Sequence, residues 1–334
     1  PSSAVKELLE NAIDAKSNKI QLIVKNAGST LVQVIDNGTG MTKEDAEICF
    51  KKHATSKIKT SDDLFTVASK GFRGEALSSI ASVAQIELKT KIKNKDIGHK
   101  VCIEASKIIK SEPCAFNIGT SISMRNLFFN VPARRNFLKS KGVETKHIID
   151  EFHRVALTHP EIHFIMHHNN NVVFDLPITN IRQRIVSIFG KKYNERLVPV
   201  DEETSITKIS GFVLKPEFSK RTRGEQFLFI NNRFIRNNSI NHAVKVVFKD
   251  LIGNDSFPSY FIYLTVPLDS IDVNIHPSKT EIKFEDERAV YELVKSSVRS
   301  SLSRNNIAPS IDFNPENSFD FPPLKPGESI KIPS

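Results

Sequence analysis

From Ala4 to Ala15 the apolar residues Val5, Leu8, Leu9, Ala12 and Ile13 recur at helical spacing, behind start signals at Pro1, Ser2 and Ser3. Glu7, Asn11 and Asp14, at i, i+4 and i+7, share the face opposite that stripe. Two apolar runs of strand length follow, Ile20–Val24 and Leu31–Ile35, with a turn around Gly28. Thr42, three residues before Asp45, is a capping signature for a helix to about Lys52. The stretch from His53 to Gly74 reads as a loop with a short helix near Asp62–Val67, and a further helix begins near Glu75.

Strand-like segments dominate from Gln85 to Phe129. A helix over Val143–Leu157 and a hairpin over Ile162–Leu176, turning at Asn169-Asn170, close the first half. A helix at Ile181–Phe189 opens the second half. Strands are expected near Ile206–Leu214, Gln226–Ile230 and Tyr260–Val266, and helices at Ser239–Lys249 and Glu287–Ser303. From Asn305 onward, prolines at 309, 315, 322, 323, 326 and 333 leave no periodic pattern, as in a flexible linker. The division expected is 1–178, 179–304 and a tail over 305–334.

The chain has 334 residues, 39% hydrophobic and 25% charged, with no apolar run long enough to span a bilayer and no signal-peptide pattern. No membrane partner is expected. Cys49, Cys102 and Cys114 are odd in number and lack C-x-x-C spacing, so they read as buried thiols in a reducing compartment. The formal charge of +9 permits a nucleic-acid partner but does not require one. Its distribution is uneven: Lys215, Lys220, Arg221, Arg223, Arg233, Arg236, Lys245 and Lys249 crowd one stretch.

Three segments carry candidate chemistry. On the first helix, Glu7 could take a proton from an attacking water, and the Asn11 amide oxygen could ligate Mg2+, a cation that prefers hard oxygen donors. The ordinary reading of that face is a solvated one. Asp36-Asn-Gly38-Thr-Gly40-Met41 ends an apolar strand; it suits a turn, and equally a carboxylate accepting an amino hydrogen of adenine with glycines permitting close approach. Gly71-Phe72-Arg73-Gly74-Glu75-Ala76-Leu77 runs from a glycine-flanked loop into a helix start, where free N–H groups suit phosphate oxygens. Gly119-Thr120 opens a strand. Neither G-x-x-x-x-G-K-[ST] nor G-x-G-x-x-G occurs.

In that order the four segments resemble the motifs of the GHKL ATPases, a superfamily that includes gyrase B subunits, a heat-shock chaperone, sensor histidine kinases and MutL. His53-Ala-Thr55-Ser-Lys57, the 71–77 loop, Asn130-Val-Pro-Ala-Arg-Arg-Asn-Phe-Leu138 and Asp272-Val-Asn-Ile-His-Pro-Ser-Lys279-Thr-Glu-Ile-Lys-Phe284 narrow the resemblance to the MutL/PMS mismatch-repair family. The resemblance implies an α/β fold: a GHKL (Bergerat-type) sandwich followed by a second α/β transducer domain similar to a ribosomal-protein fold. It implies ATP and Mg2+ as cofactors, Glu7 as general base, Asn11 as metal ligand, and Asp36 as adenine reader with Gly38, Gly40, Met41 and Thr120 nearby. Thr55, Lys57 and the Gly71–Leu77 backbone would wrap the triphosphate, and Lys279 would reach the γ-phosphate. Arg233 resembles a family arginine that meets DNA.

The implied partners are DNA held through its phosphates, a MutS-type mismatch sensor, and a second copy or a paralogue. Relatives carry a segment before the first motif and a C-terminal dimerisation domain, so the sequence resembles a fragment at both ends. A matchmaker that binds ATP without turnover is the second reading. A sensor kinase is disfavoured, because none of the ten histidines lies in a recognisable phosphoacceptor helix, and His167-His168 read as surface residues. The short, simple arrangement favours a bacterial cytoplasm over a eukaryotic nucleus.

Overall fold

A computed structural model of the chain describes residues 1–51, 75–204, 207–272, 282–305 and 307. The first helix, α1 (Ser2–Asp14), buries Val5, Leu8, Leu9 and Ala12 along one stripe. Burial of each large side chain is worth roughly 2 kcal/mol, which fixes the helix against the sheet below it. That sheet has eight strands: β1 (Lys19–Lys25), β2 (Leu31–Asp36), β3 (Gln85–Lys91), β4 (Gly98–Glu104), β5 (Lys107–Cys114), β6 (Gly119–Arg125), β7 (His163–His168) and β8 (Asn171–Leu176). Their order is β5-β4-β3-β6-β2-β1-β7-β8, antiparallel except where β1 runs parallel to β7.

The short α2 (Lys43–Ile48) starts at Thr42, whose hydroxyl accepts the Asp45 N–H as its spacing predicts. It ends four residues before the expected Lys52. The sheet's core packs against α1, α3 (Ala76–Val83) and α5 (Lys141–Thr158). A five-residue helix, α4 (Pro132–Asn136), escaped the sequence reading because one turn has no periodicity to detect. The β7–β8 turn lies at Asn169 and Asn170, both with positive φ, the backbone a two-residue hairpin requires. His167 and His168 are half-buried in β7 rather than on the surface, and His167 Nε2 lies 2.8 Å from Gln21 Nε2. The three cysteines are free and half-buried, not fully enclosed.

The second sheet is ordered β12-β11-β13-β10-β9, from β9 (Leu197–Glu203), β10 (Lys208–Leu214), β11 (Gln226–Ile230), β12 (Arg233–Ile235) and β13 (Tyr260–Thr265). Period-2 alternation sorts its residues. Leu228, Ile230, Ile262 and Leu264 face a core shared with α7 (Asn238–Phe248) and α8 (Glu287–Arg304). Phe227, Phe229, Phe261 and Tyr263 face α6 (Ile181–Phe189) and Leu157 at the end of α5. A small ribbon, β14 (Ile271–Asp272) with β15 (Lys283–Phe284), precedes α8. β9 escaped the sequence reading because Pro199 and its acidic end disguise it. It lies at the sheet's edge, where proline is tolerated.

The second sheet meets α5 and α6 at this aromatic layer. Phe227 stacks on Phe261 at 5.3 Å and Phe229 on Tyr263 at 4.8 Å. The Tyr263 hydroxyl donates to the Leu157 carbonyl at 3.0 Å. Arg184, fully buried on α6, donates through Nη2 to the carbonyls of Pro160, Ile162 and Pro177.

Candidate nucleotide site

Alternation along three neighbouring strands places Val32, Val34 and Asp36 of β2 on one face of the first sheet. Met124, Ile122 and Thr120 of β6 and Ile86, Leu88 and Thr90 of β3 lie beside them. The face is apolar until its last rung, where Asp36, Thr120 and Thr90 stand abreast. Thr90 is fully buried; its hydroxyl donates to the Gly119 carbonyl at 3.0 Å, lies 3.1 Å from the Thr120 hydroxyl, and accepts the Met41 N–H at 2.8 Å.

Asp36 Oδ1 accepts from the Ser17 hydroxyl at 3.1 Å and from the Gly38 N–H at 2.8 Å. Burial pushes its pKa above the ordinary carboxylate value, opposed by the hydrogen bonds from Gly38, Ser17 and Thr120. Three glycines make the arrangement possible. A Cβ on Gly38 would lie 2.5 Å from the Ala15 carbonyl oxygen. Gly40 and Gly119, at φ +71° and +121°, would each place one 2.1 Å from a backbone oxygen, of Lys91 and Asp36 respectively.

The same loop grips the end of α1. The Thr39 N–H donates to the Ala15 carbonyl, and the Asn37 side chain accepts from the amides of Asn18 and Lys19. Glu7, Asn11 and Asp14 are therefore half-buried on the helix whose C-terminal end is tied to the Asp36 loop. Exposed Glu75, with Ala76 and Leu77, begins α3, which packs against α1. Thr55, Lys57, Gly71, Phe72, Arg73, Gly74 and Lys279 lie outside the described residues. Arg233 lies elsewhere, at the start of edge strand β12. Sequence reasoning missed Ser17 and Thr90. Thr90 left one faint signal, a polar residue in phase with inward-facing Ile86 and Leu88.

Residues 1–121 match the Histidine kinase-, DNA gyrase B-, and HSP90-like ATPase family, and residues 185–303 match the C-terminal domain of DNA mismatch repair proteins. The chain is 56% identical over 322 residues to the DNA mismatch repair protein MutL of Christiangramia forsetii, covering 96% of this chain and 52% of that protein. The chain belongs to the MutL family of DNA mismatch-repair proteins. It spans about half the length of the curated MutL relatives it matches. Among solved structures, the N-terminal domain of a DNA repair protein superposes with TM-score 0.78 at 26% identity, over 92% of this chain and 95% of that one. The Aquifex aeolicus MutL ATPase domain complexed with ADP superposes with TM-score 0.61 at 26% identity, over 80% and 93%. The fold of this MutL-family chain is thus the expected GHKL-type α/β sandwich joined to a second α/β unit. Among the described residues, no helix is long and apolar enough to cross a membrane.

Proposed function

We propose that this MutL-family chain is an ATP-gated switch of DNA mismatch repair, binding ATP and hydrolysing it slowly. The observation that carries the reading is the Asp36–Thr120–Thr90 rung, a polar end to an apolar sheet face beneath the helix that bears Glu7 and Asn11. Ser17 and Gly38 bond the Asp36 carboxylate at Oδ1 and the Thr120 backbone adds a further hydrogen bond, so the carboxylate is held where it would accept from the adenine amino group. The Aquifex relative, complexed with ADP, supports a nucleotide as the ligand of this fold. Glu7 would hold and deprotonate the water that attacks the γ-phosphate. Residues at 55, 57, 71–77 and 279 would supply phosphate contacts by the family resemblance.

The donor set fits Mg2+. Among the described residues no group of three His, Cys, Asp or Glu could cage an ion, and Asn11 offers one hard oxygen. That suits a cation held mainly by the nucleotide's own phosphates. When bound, Mg2+ would neutralise charge on the triphosphate.

We assign residues 1–178 to the ATPase domain, 179–304 to a DNA-contacting transducer and 305–334 to a linker. ATP binding would favour dimerisation around DNA, with Arg233 contacting phosphate and a MutS-type sensor upstream. The bacterial relatives support a cytoplasmic setting.

The test is binding of a non-hydrolysable ATP analogue, read together with oligomeric state, for the wild type and Asp36→Asn. Saturable binding weakened in the variant is expected. Equal binding by both proteins would remove Asp36 from the site.

A further inference from the structure

Basic residues between 215 and 249 lie at both ends of β11. Arg233 pairs with Ile230 at its C-terminal end, across the Asn231-Asn232 turn, and Arg236 follows β12 back along β11, one residue beyond the Ile235–Leu228 pair. The other group gathers before its N-terminal end, around Phe257. Lys220 and Phe257 pair through both backbone hydrogen bonds, which draws the Lys220–Glu225 turn onto the segment ahead of β13. Over the Phe257 ring sit the Arg223 guanidinium, 5.0 Å from its centroid, and the Lys245 ammonium of α7 at 5.6 Å. Next to them Arg196 lies over Phe218 at 4.3 Å and over Tyr193 at 5.7 Å.

One anion of this group is already committed, while exposed Glu217, beside Phe218, forms no ion pair among the described residues. Glu225 takes the Tyr193 hydroxyl at 2.5 Å and is ion-paired to Lys220. Among the described residues Arg196, Arg221, Arg223 and Lys245 form no ion pair, and Asp255, two residues from Phe257, pairs with none of them. Like charges are thus held near one another by aromatic rings, in an arrangement that an incoming polyanion relieves.

We propose that Arg223 and Lys245, seated on Phe257, together with exposed Arg221 of the same turn, form a second contact for the phosphate backbone of duplex DNA. This rests on the DNA reading above and adds a site to it. A strand of five residues separates the patch from Arg233, roughly 15 Å at strand rise, so one chain would touch the duplex at two points. DNA carries one phosphate charge per about 1.7 Å of axis, ample to serve both. An acidic protein face fits less well. Among the described residues no large hydrophobic between 179 and 267 is exposed, so the surface offers charge without the apolar anchor typical of protein interfaces.

The test measures affinity for a duplex of random sequence against salt, using wild type, Arg233→Ala, and the triple variant Arg221→Ala/Arg223→Ala/Lys245→Ala. Each phosphate contact contributes about 0.9 to the slope of log affinity on log salt. The triple variant should lower the slope by about two or more and weaken binding at least about tenfold near 0.1 M salt. Arg221→Lys/Arg223→Lys should keep the slope, since the charge is retained. A triple variant that binds with the wild-type slope while Arg233→Ala lowers it overturns this second patch and leaves the Arg233 assignment standing. A wild type without salt-dependent binding overturns both. If the triple variant does not melt cooperatively, single substitutions carry the test, each expected to lower the slope by about one and each overturning the proposal if it does not.

Discussion

The hydroxyls of Thr90 and Thr120 stand 3.1 Å apart on adjacent strands, sealed beneath the loop that carries Gly40 and Met41. Thr90 also donates to Gly119 and accepts from Met41. Thr90→Val keeps the shape and strands the partly buried Met41 N–H. We expect a loss of about 1–3 kcal/mol in stability, with a weaker affinity for ATP analogue because the Gly40–Met41 backbone loses its anchor. Thr90→Ser should recover most of the binding. Denaturant melts and analogue titration check both, and unchanged binding by the valine variant would show that the anchor does not shape the pocket.

Glu7→Ala should retain analogue binding and reduce steady-state phosphate release by at least about 100-fold, the range for loss of a general base. Parallel loss of binding and turnover would assign Glu7 a structural role instead.

Gly119→Ala places a methyl group 2.1 Å from the Asp36 carbonyl oxygen at a φ of +121°. The pairing of β2 with β6 must open at its last rung, and the cost should be about 2 kcal/mol or more. A melt within about 0.5 kcal/mol of wild type, a shift typical of neutral surface changes, would contradict the close packing found here.

His153 is packed between Phe174 at 5.0 Å and Phe189 at 5.6 Å, and burial pushes its pKa down to about 4. The neutral ring is the native form. Between pH about 4 and the ordinary 6.5, the unfolded chain holds the extra proton. Stability from this group is therefore complete above pH about 6.5 and falls as the pH drops to about 4, by a few kcal/mol in all. His153→Phe should flatten that part of the stability–pH curve. An unchanged slope in the variant would place the acid sensitivity elsewhere.

The sequence made much of this molecule legible, and the reasons are local. Helix α6 and strand β11 coincide with their expected bounds, because Asn180 caps the first and phenylalanine alternates with leucine and isoleucine in the second. Asp36, Gly38 and Gly40 could be read because turn chemistry and close approach restrict which residues serve. Ser17 and Thr90 could not, since their importance comes from register: only when β3, β6 and β2 align does Thr90 come to lie beside Thr120. Arg184 was equally silent. An arginine within an amphipathic helix reads as solvent-facing until the fold wraps it.

That arginine ties α6 to the segment ahead of it. Its Nη2 reaches three carbonyls, from Pro160, Ile162 and Pro177, while Nε and Nη1 are buried without partners among the described residues. A seam held only by the phenylalanine layer could slip by small amounts, since ring contacts degrade smoothly with distance. A sealed guanidinium has no intermediate position in which its charge is satisfied. Drawing α6 away from those three carbonyls would therefore strand a buried charge, a cost the ring layer alone does not impose.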